Sequence, residues 1–512
     1  MTFEVLRALH AVIGEAIDEI ERVYKAHSPS QEDGAALQFP SLDAPYYSTL
    51  KNSVEVKKAE ELRTEPAVFG ATNRIVAACG QLTATVHKPF FQLVEGGQGG
   101  NLIAALEFLE STHIVEILRE AGPGGLGVEE IGAKVTELRR AANPGAPGID
   151  PSNIGHLLRL LATYHWIREV KPDVFTNNRL SSFIDSGKST EQIKTSPTTK
   201  YDSTDGIAAY TSTIADETTK IHSALADWLL TGGAAPEGSH NGYPTAFNFA
   251  FKTQAKFYEW LETPGNEKRL ARFGHAMNGT RYWEVTENII HGFPWDELPR
   301  DAVVADVGGG IGSVSVLLAE AYPHLRFAVK DRASVVGIAH QSWGDKHADL
   351  FSSGRVSFHA QDFLEPQTPI DVPAVGTVAQ PDVFLLRAVA HNWPDEYAVR
   401  ILKHFRAAAG PHTKLLIVDN LLPYACRDDD HEGEGGAPGM SSLVPEGSSL
   451  LPNLGHASLN GYILDITMMA VFGAKERTYR EMDALTQSAG WKISRVKRAV
   501  GSLWAYITAV PV

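Results

Sequence analysis

The seven residues Asp306-Val307-Gly308-Gly309-Gly310-Ile311-Gly312 offer the first chemistry to be read in this chain. They lie between an apolar strand signal, AVVADV, and a helical one, GSVSVLLAEAY. Glycines at such a junction let the backbone turn tightly and approach a ligand closely, and the helix start presents free N–H groups to it. The spacing is Gly-x-Gly-x-Gly, and Ser313 stands where a dinucleotide fingerprint needs its last glycine, which disfavours a nicotinamide dinucleotide. Asp331 ends the next strand, where a carboxylate can accept both hydroxyls of a ribose. Asp362 and Phe363 follow the third strand, the acid suited to accept from an adenine amine and the ring to stack on the base. Singly, each acid reads as a loop residue or a helix cap. At three successive strand ends they point together to a nucleoside site.

Further motifs follow in order. DVGGGIG, the acid Asp331, the QDF step, LLRAVAHNWPDE and GAKERT together resemble the plant-type class I S-adenosylmethionine-dependent O-methyltransferases, especially their fungal members, across residues 95–510. The resemblance implies a Rossmann-like domain that binds S-adenosylmethionine along its strand ends, preceded by a winged-helix region through which two copies pair. It implies that Asp306, Gly308, Gly309, Gly310, Gly312, Asp331, Asp362, Phe363 and Arg387 hold the cofactor and that Met277 contacts substrate.

Methyl transfer from a sulfonium needs an electron-rich oxygen placed in line, so positioning and deprotonation are the protein's tasks. A phenol with a pKa near ~10 is mostly protonated at neutral pH, whereas an imidazole with a reference value of ~6.5 is free to accept its proton. His391, in HNWPDE, matches the family's base; Asp419, in VDNLLP, and Glu476, in GAKERT, match the two acids that orient it. Asp419 is a methylene shorter than the Glu common in plant members. Without the resemblance, Glu476 between Lys475 and Arg477 reads as a solvated charge at a helix start. Lys330 and Ala333 depart from the pattern, and Lys330 reads either as a solvated strand end or as a donor into the substrate cavity. Some fungal relatives keep S-adenosylmethionine but catalyse dehydration and pericyclic ring closure. The sequence therefore predicts an O-methyltransferase acting on a hydroxyl of an aromatic or polyketide-type fungal secondary metabolite, with a cyclase that leaves the cofactor unspent as the alternative; the intact His391 favours the former.

The elements that must position these residues are those of an α/β fold. From residue 302, apolar strands alternate with helices, which predicts a parallel sheet covered on both faces. The acidic, Gly/Ser/Pro-rich stretch 424–458 interrupts it and reads as a mobile excursion. Upstream, 3–24 carries an amphipathic stripe, 27–50 reads as a linker, and helical signal returns at 53–80 and 98–120. Three helices and two short strands between 112 and 178 spell a winged helix, the third helix opened by Asp150 and Pro151. Residues 186–240 carry few signals, and the aromatic stripe of Phe247, Phe251, Phe257 and Trp260 reads as core more readily than as pocket. The expected organisation is a helical extension (1–95), a winged-helix dimerisation domain (96–190), a helical substrate-binding region (191–295) and the Rossmann-like domain (296–512).

Composition narrows the partners. The 512 residues carry 61 Asp and Glu against 46 Lys and Arg, a net charge of −15, which disfavours nucleic acid or an anionic membrane as partner and leaves the winged helix as a packing and dimerisation module. Its two cysteines, Cys79 and Cys426, lie in no zinc-like spacing and fit a reducing compartment. The acidic N-terminal helix is unlike a targeting peptide, so the cytosol is the expected location.

Overall fold

A computed structural model describes residues 2–28, 36–48, 50–232, 244–283, 288–344, 347–373, 375–428, 442–444, 446–499 and 501–512. The loop expected near 233–243 and the centre of the excursion at 424–458 lie outside them. The chain forms two compact units: Gly14–Thr72 with Leu82–Tyr282, and Met1–Ile13 with Asn73–Gln81 and Trp283–Val512.

In the first of these units, helices occupy Val54–Glu61, Gly100–Ser111 and Ile114–Ala121 (α1), followed by β1 (Leu126–Gly127), α2 (Val128–Ala142), α3 (Pro151–Thr163), β2 (Ile167–Lys171) and β3 (Val174–Asn177). The strands form an antiparallel sheet in the order β1-β3-β2. Asp150 starts α3 by accepting from the Ser152 N–H at 2.9 Å, and Pro151 at the first helical position already has a helical φ. Ile154, Leu158 and Leu161 of that helix are buried against Leu118, Ile131, Val135 and Phe175. The expected three helices and hairpin are therefore present.

Residues 190–230, which carry no clear periodicity, are nevertheless mostly helical in short pieces, with a π-helical turn at Ile214–Thr218. Ile207, Ile221 and Trp228 are buried there, and ion pairs add to the apolar packing. Arg272, on the helix Glu267–Gly279, donates to Ser212 Oγ and Asp216 Oδ2, both at 2.8 Å, and to Glu217, which also receives Arg269 Nε at 2.9 Å. Phe247, Phe257 and Trp260 are buried, as a core reading requires.

The second unit is built on a seven-stranded sheet: β4 (Val303–Val307), β5 (Arg326–Asp331), β6 (Val356–Ala360), β7 (Val383–Arg387), β8 (Lys414–Asp419), β9 (Trp491–Arg498) and β10 (Ala505–Pro511), in the order β9-β10-β8-β7-β4-β5-β6. Alternate residues serve opposite faces. Ala305, Val307, Phe384, Leu386, Leu415 and Ile417 pack with the helices α5 (Asp395–Ala407) and α7 (Tyr479–Ser488), while Val304, Phe327, Leu385, Leu416 and Tyr506 pack with α4 (Ser313–Ala321) and Trp295. A fourth helix here, α6 (Leu459–Phe472), precedes α7.

The sheet is mixed rather than all parallel. β10 runs antiparallel to both β8 and β9, because the short connection between β9 and β10 permits a hairpin and not a crossover. Behind β8, Leu421-Leu422 pairs in parallel with Arg477-Thr478, which joins two remote segments beside the strand ends.

A Cβ placed on Gly292 would stand 2.2 Å from the ring of the fully buried Tyr506. Gly292→Ala should therefore lower unfolding stability by about 1–3 kcal/mol, read as a lower midpoint in chemical denaturation with an unchanged slope.

Candidate active site

The glycine loop folds over a buried carboxyl. Asp306, the penultimate residue of β4, accepts from Ser315 Oγ at 2.6 Å, and burial pushes it up to about 6 despite the nearby Ser315 and Arg387. A Cβ on Gly309 would come within 2.6 Å of the Asp306 carboxyl carbon, so only glycine lets the chain cross there. Gly308, Gly310 and Gly312 have φ of +72°, +60° and +83°, the left-handed region that glycine enters without strain. Gly308 donates to the Lys330 carbonyl at 2.8 Å, which ties the loop to the end of β5.

Asp331, the next residue, accepts from the Gly310 N–H at 2.8 Å and from Arg332 N at 2.7 Å. Nothing lies within 4 Å of a Cβ on Gly310. An open cradle of backbone beside an acceptor carboxylate suits an adenosyl ribose, so the residues present fit S-adenosylmethionine. Phe363 is half-buried, 3.8 Å from a Cβ on Gly308, and meets Trp393 edge-on at 5.6 Å. The Asp362 carboxylate accepts from Leu364 N at 2.8 Å and so serves its own turn. Arg387 ends β7 half-buried.

Lys330 corrects one of the two expectations placed on it, that of a solvated strand end. It is 1% exposed, and Nζ donates to Gln367 Oε1 at 3.1 Å and to the Thr368 carbonyl at 3.0 Å. Bulk solvent does not receive the ammonium, because alternate residues of β5 point to the face covered by the segment after β6. Burial pulls it down to about 8. Met277 sits in the other unit on the helix Glu267–Gly279, its side chain partly exposed.

His391 occupies a short helical turn, Ala390–Asn392, directly after β7. Its Nδ1 lies 2.6 Å from Glu476 Oε1, across 85 residues of sequence, and both side chains are buried. Trp504 packs against the imidazole edge-to-face at 5.4 Å. Asp419 does not reach the ring: its Oδ2 accepts from the His391 backbone N–H at 3.1 Å. The shorter side chain at the end of β8 thus fixes the main chain of His391 while Glu476 fixes its ring. Among the described residues, Asp419 Oδ1 and Glu476 Oε2 are buried without a hydrogen-bond partner.

Burial alone would make His391 harder to protonate, but the charges of Glu476 and Asp419 and the hydrogen bond to Glu476 outweigh it and hold the imidazole above its ordinary value. Burial, reinforced by Glu476, drives Asp419 up to about 7 although His391 and Arg477 oppose it. In the neutral tautomer in which Nδ1 donates to Glu476, the lone pair is on Nε2, the atom able to take a proton from a hydroxyl. Sequence reasoning passed over Ser315, Trp504 and Arg477, the last of which donates to the Ala390 and Trp393 carbonyls around His391. The signal for Arg477 was its place in GAKERT.

The O-methyltransferase domain family matches residues 222–435. An O-methyltransferase of Armillaria gallica is 35% identical over 99% of this chain and 99% of its own length, and 4-O-methyltransferase 1 of Phanerochaete chrysosporium is 34% identical over 96% of each. This chain belongs to the O-methyltransferase family. The same fold is seen in mitomycin 7-O-methyltransferase MmcR (TM-score 0.56, 19% identity, 85% of this chain and 100% of that one). It is seen again in LepI in complex with S-adenosylmethionine (TM-score 0.60, 17% identity, 89% of this chain and 100% of that one). The protein is an S-adenosylmethionine-dependent O-methyltransferase, and among its described residues no helix is long and apolar enough to cross a membrane.

Two outcomes follow from this geometry. Gly310→Val forces a β-branched residue into the left-handed region and fills the open space of the cradle; calorimetry should show S-adenosylmethionine affinity reduced by at least about tenfold. His391 must be neutral to accept a proton, so its raised value places the acid limb of kcat/KM above pH ~6.5. Glu476→Gln removes the main raising charge and leaves desolvation dominant; the limb should move to lower pH while kcat falls. The same raised value stabilises the fold below pH ~6.5, a contribution lost as pH climbs through the folded-state value.

Proposed function

We propose that this enzyme methylates a hydroxyl group on an aromatic or polyketide-type secondary metabolite, with His391 as general base. The observation that carries the reading is the buried 2.6 Å contact between His391 Nδ1 and Glu476 Oε1. An imidazole held this way has one tautomer and one orientation, and the carboxylate stabilises the imidazolium formed when Nε2 takes the hydroxyl proton. Such a base contributes ~10²–10⁴ in rate. Asp419 supports it by holding the main-chain N–H, and the pair of carboxylates supplies the negative field that strengthens its basicity.

The cofactor would rest on Gly308, Gly309, Gly310 and Gly312, with Asp331 on its ribose, Phe363 beside its base, and Arg387 and the buried Asp306 fixing the loop. When bound, S-adenosylmethionine supplies an electrophilic methyl group. Asp362 would contribute through its turn, and Met277 would contact substrate from the helix Glu267–Gly279. The relatives named as 4-O- and 3-O-methyltransferases of Phanerochaete chrysosporium agree with oxygen as the acceptor. We read the three helices and small sheet of the N-terminal unit as a winged helix that pairs two copies. Ring closure without methyl transfer loses one motive here, because the Lys330 ammonium is spent on Gln367 and Thr368.

Incubation with a panel of phenols tests the reading. Methylated product with S-adenosylhomocysteine is expected, together with a loss of about 10²–10⁴ in turnover for His391→Ala at nearly unchanged cofactor affinity. A cyclised product with intact cofactor, or a near-normal rate in the variant, would overturn it.

A further inference from the structure

The mechanism so far gives no task to a buried cation next to Glu476. Arg477 is 1% exposed, and the charges that act on the His391 ring are those of the acids Glu476 and Asp419. A guanidinium taken out of water needs nearly all of its donors satisfied, and the partners it has chosen are informative. Nη1 donates to the Ala390 carbonyl at 2.9 Å and Nη2 to the Trp393 carbonyl at 2.9 Å. Nε and Nη2 reach Asp395 Oδ1 at 3.0 and 2.8 Å, at the first residue of α5. These three anchors bracket His391 and Asn392: one carbonyl immediately before the base, one two residues after it, and the start of the helix that follows.

The backbone of Arg477 is itself fixed. It pairs with Leu421, two residues beyond Asp419, in the short parallel ladder behind β8. Its neighbour Glu476 holds the His391 ring. One dipeptide therefore grips the base twice, by side chain from Glu476 and by main chain from Arg477, while Asp419 takes the N–H between those two carbonyls.

We propose that Arg477 is a positioning residue for methyl transfer, its planar guanidinium setting the height and tilt of the 390–393 turn so that the His391 imidazole meets both Glu476 and the substrate hydroxyl. The inference rests on the reading of His391 as the base. A lysine could keep the charge beside Asp419 but could not span two carbonyls and a carboxylate from one rigid plane. An arginine serving only to fill and stabilise this corner would affect unfolding and nothing else.

Arg477→Lys separates these roles. The expected result is a kcat lowered about tenfold to a hundredfold, as for a displacement of a catalytic group by a fraction of an ångström to an ångström, with S-adenosylmethionine affinity within about twofold of wild type. The His391 imidazole, followed by nitrogen NMR and assigned by its loss in His391→Ala, should titrate at lower pH because its contact with Glu476 loosens. A folded Arg477→Lys protein with unchanged kcat and unchanged imidazole titration, whatever its melting temperature, overturns the proposal. Should that variant fail to fold, Asp395→Asn decides, with Lys475→Gln as its control: Asp395 is half exposed and holds both Arg477 and Lys475, so a several-fold loss in kcat that Lys475→Gln does not reproduce supports the role, and an unchanged kcat or a loss that Lys475→Gln reproduces refutes it. If wild type methylates no phenol, or His391→Ala keeps its rate, it is the assignment of the base that fails, and the NMR titration still reports whether Arg477 governs the imidazole.

Discussion

A buried imidazole facing a buried carboxylate is the constraint on which the active site depends. His391 and Glu476 are 2.6 Å apart in a region closed to water, where an unpaired charge would be costly. Their attraction is worth having only if both main chains are rigid, and the surrounding structure supplies that rigidity. The ladder between Leu421-Leu422 and Arg477-Thr478 joins the strand end of β8 to the segment carrying Glu476, and Asp465 Oδ1 receives the Glu476 N–H at 2.9 Å. The two unpartnered carboxylate oxygens are the cost of concentrating negative charge around the imidazole, and the raised protonation of His391 and Asp419 is its visible result.

The cofactor side of the site obeys a different logic. There the geometry is made by backbone: three left-handed glycines, a fourth crossing the Asp306 carboxyl, and N–H groups turned toward acceptors. Side chains enter mainly as anchors, Ser315 for Asp306 and Asp331 for the loop. Such a site tolerates changes in its surroundings better than the imidazole pocket does, because a few local φ angles determine it.

That difference explains what could be read from the sequence. The glycine loop, Asp331 and the strand alternation were legible because each is local: a run of small residues, an acid closing an apolar strand, a period of two. Glu476 was legible only by resemblance, since nothing in its neighbours reveals a partner 85 residues away. Whether Asp419 holds the ring or the backbone of His391 turns on one methylene and a strand end, which spacing does not encode. Lys330 misled because a charge in an apolar strand suggests exposure, whereas its long stem reaches a carbonyl and an amide beyond the core face. The helices between 190 and 230 escaped notice because they are short pieces rich in threonine, whose few buried apolar residues make no long stripe and are joined by ion pairs.

The order of strands has a consequence for biosynthesis. β10 follows the other six strands of the sheet in sequence, yet it inserts between β8 and β9, with Trp504, the aromatic wall of the imidazole, at its entrance. Until it pairs, the flank of β8 that ends in Asp419 is an open edge seeking hydrogen bonds. A chain made as far as β9 therefore holds His391, Asp419 and Glu476 while still lacking the strand and the Trp504 ring that cover them, so this corner closes only when a long-range pairing forms, in one step rather than gradually.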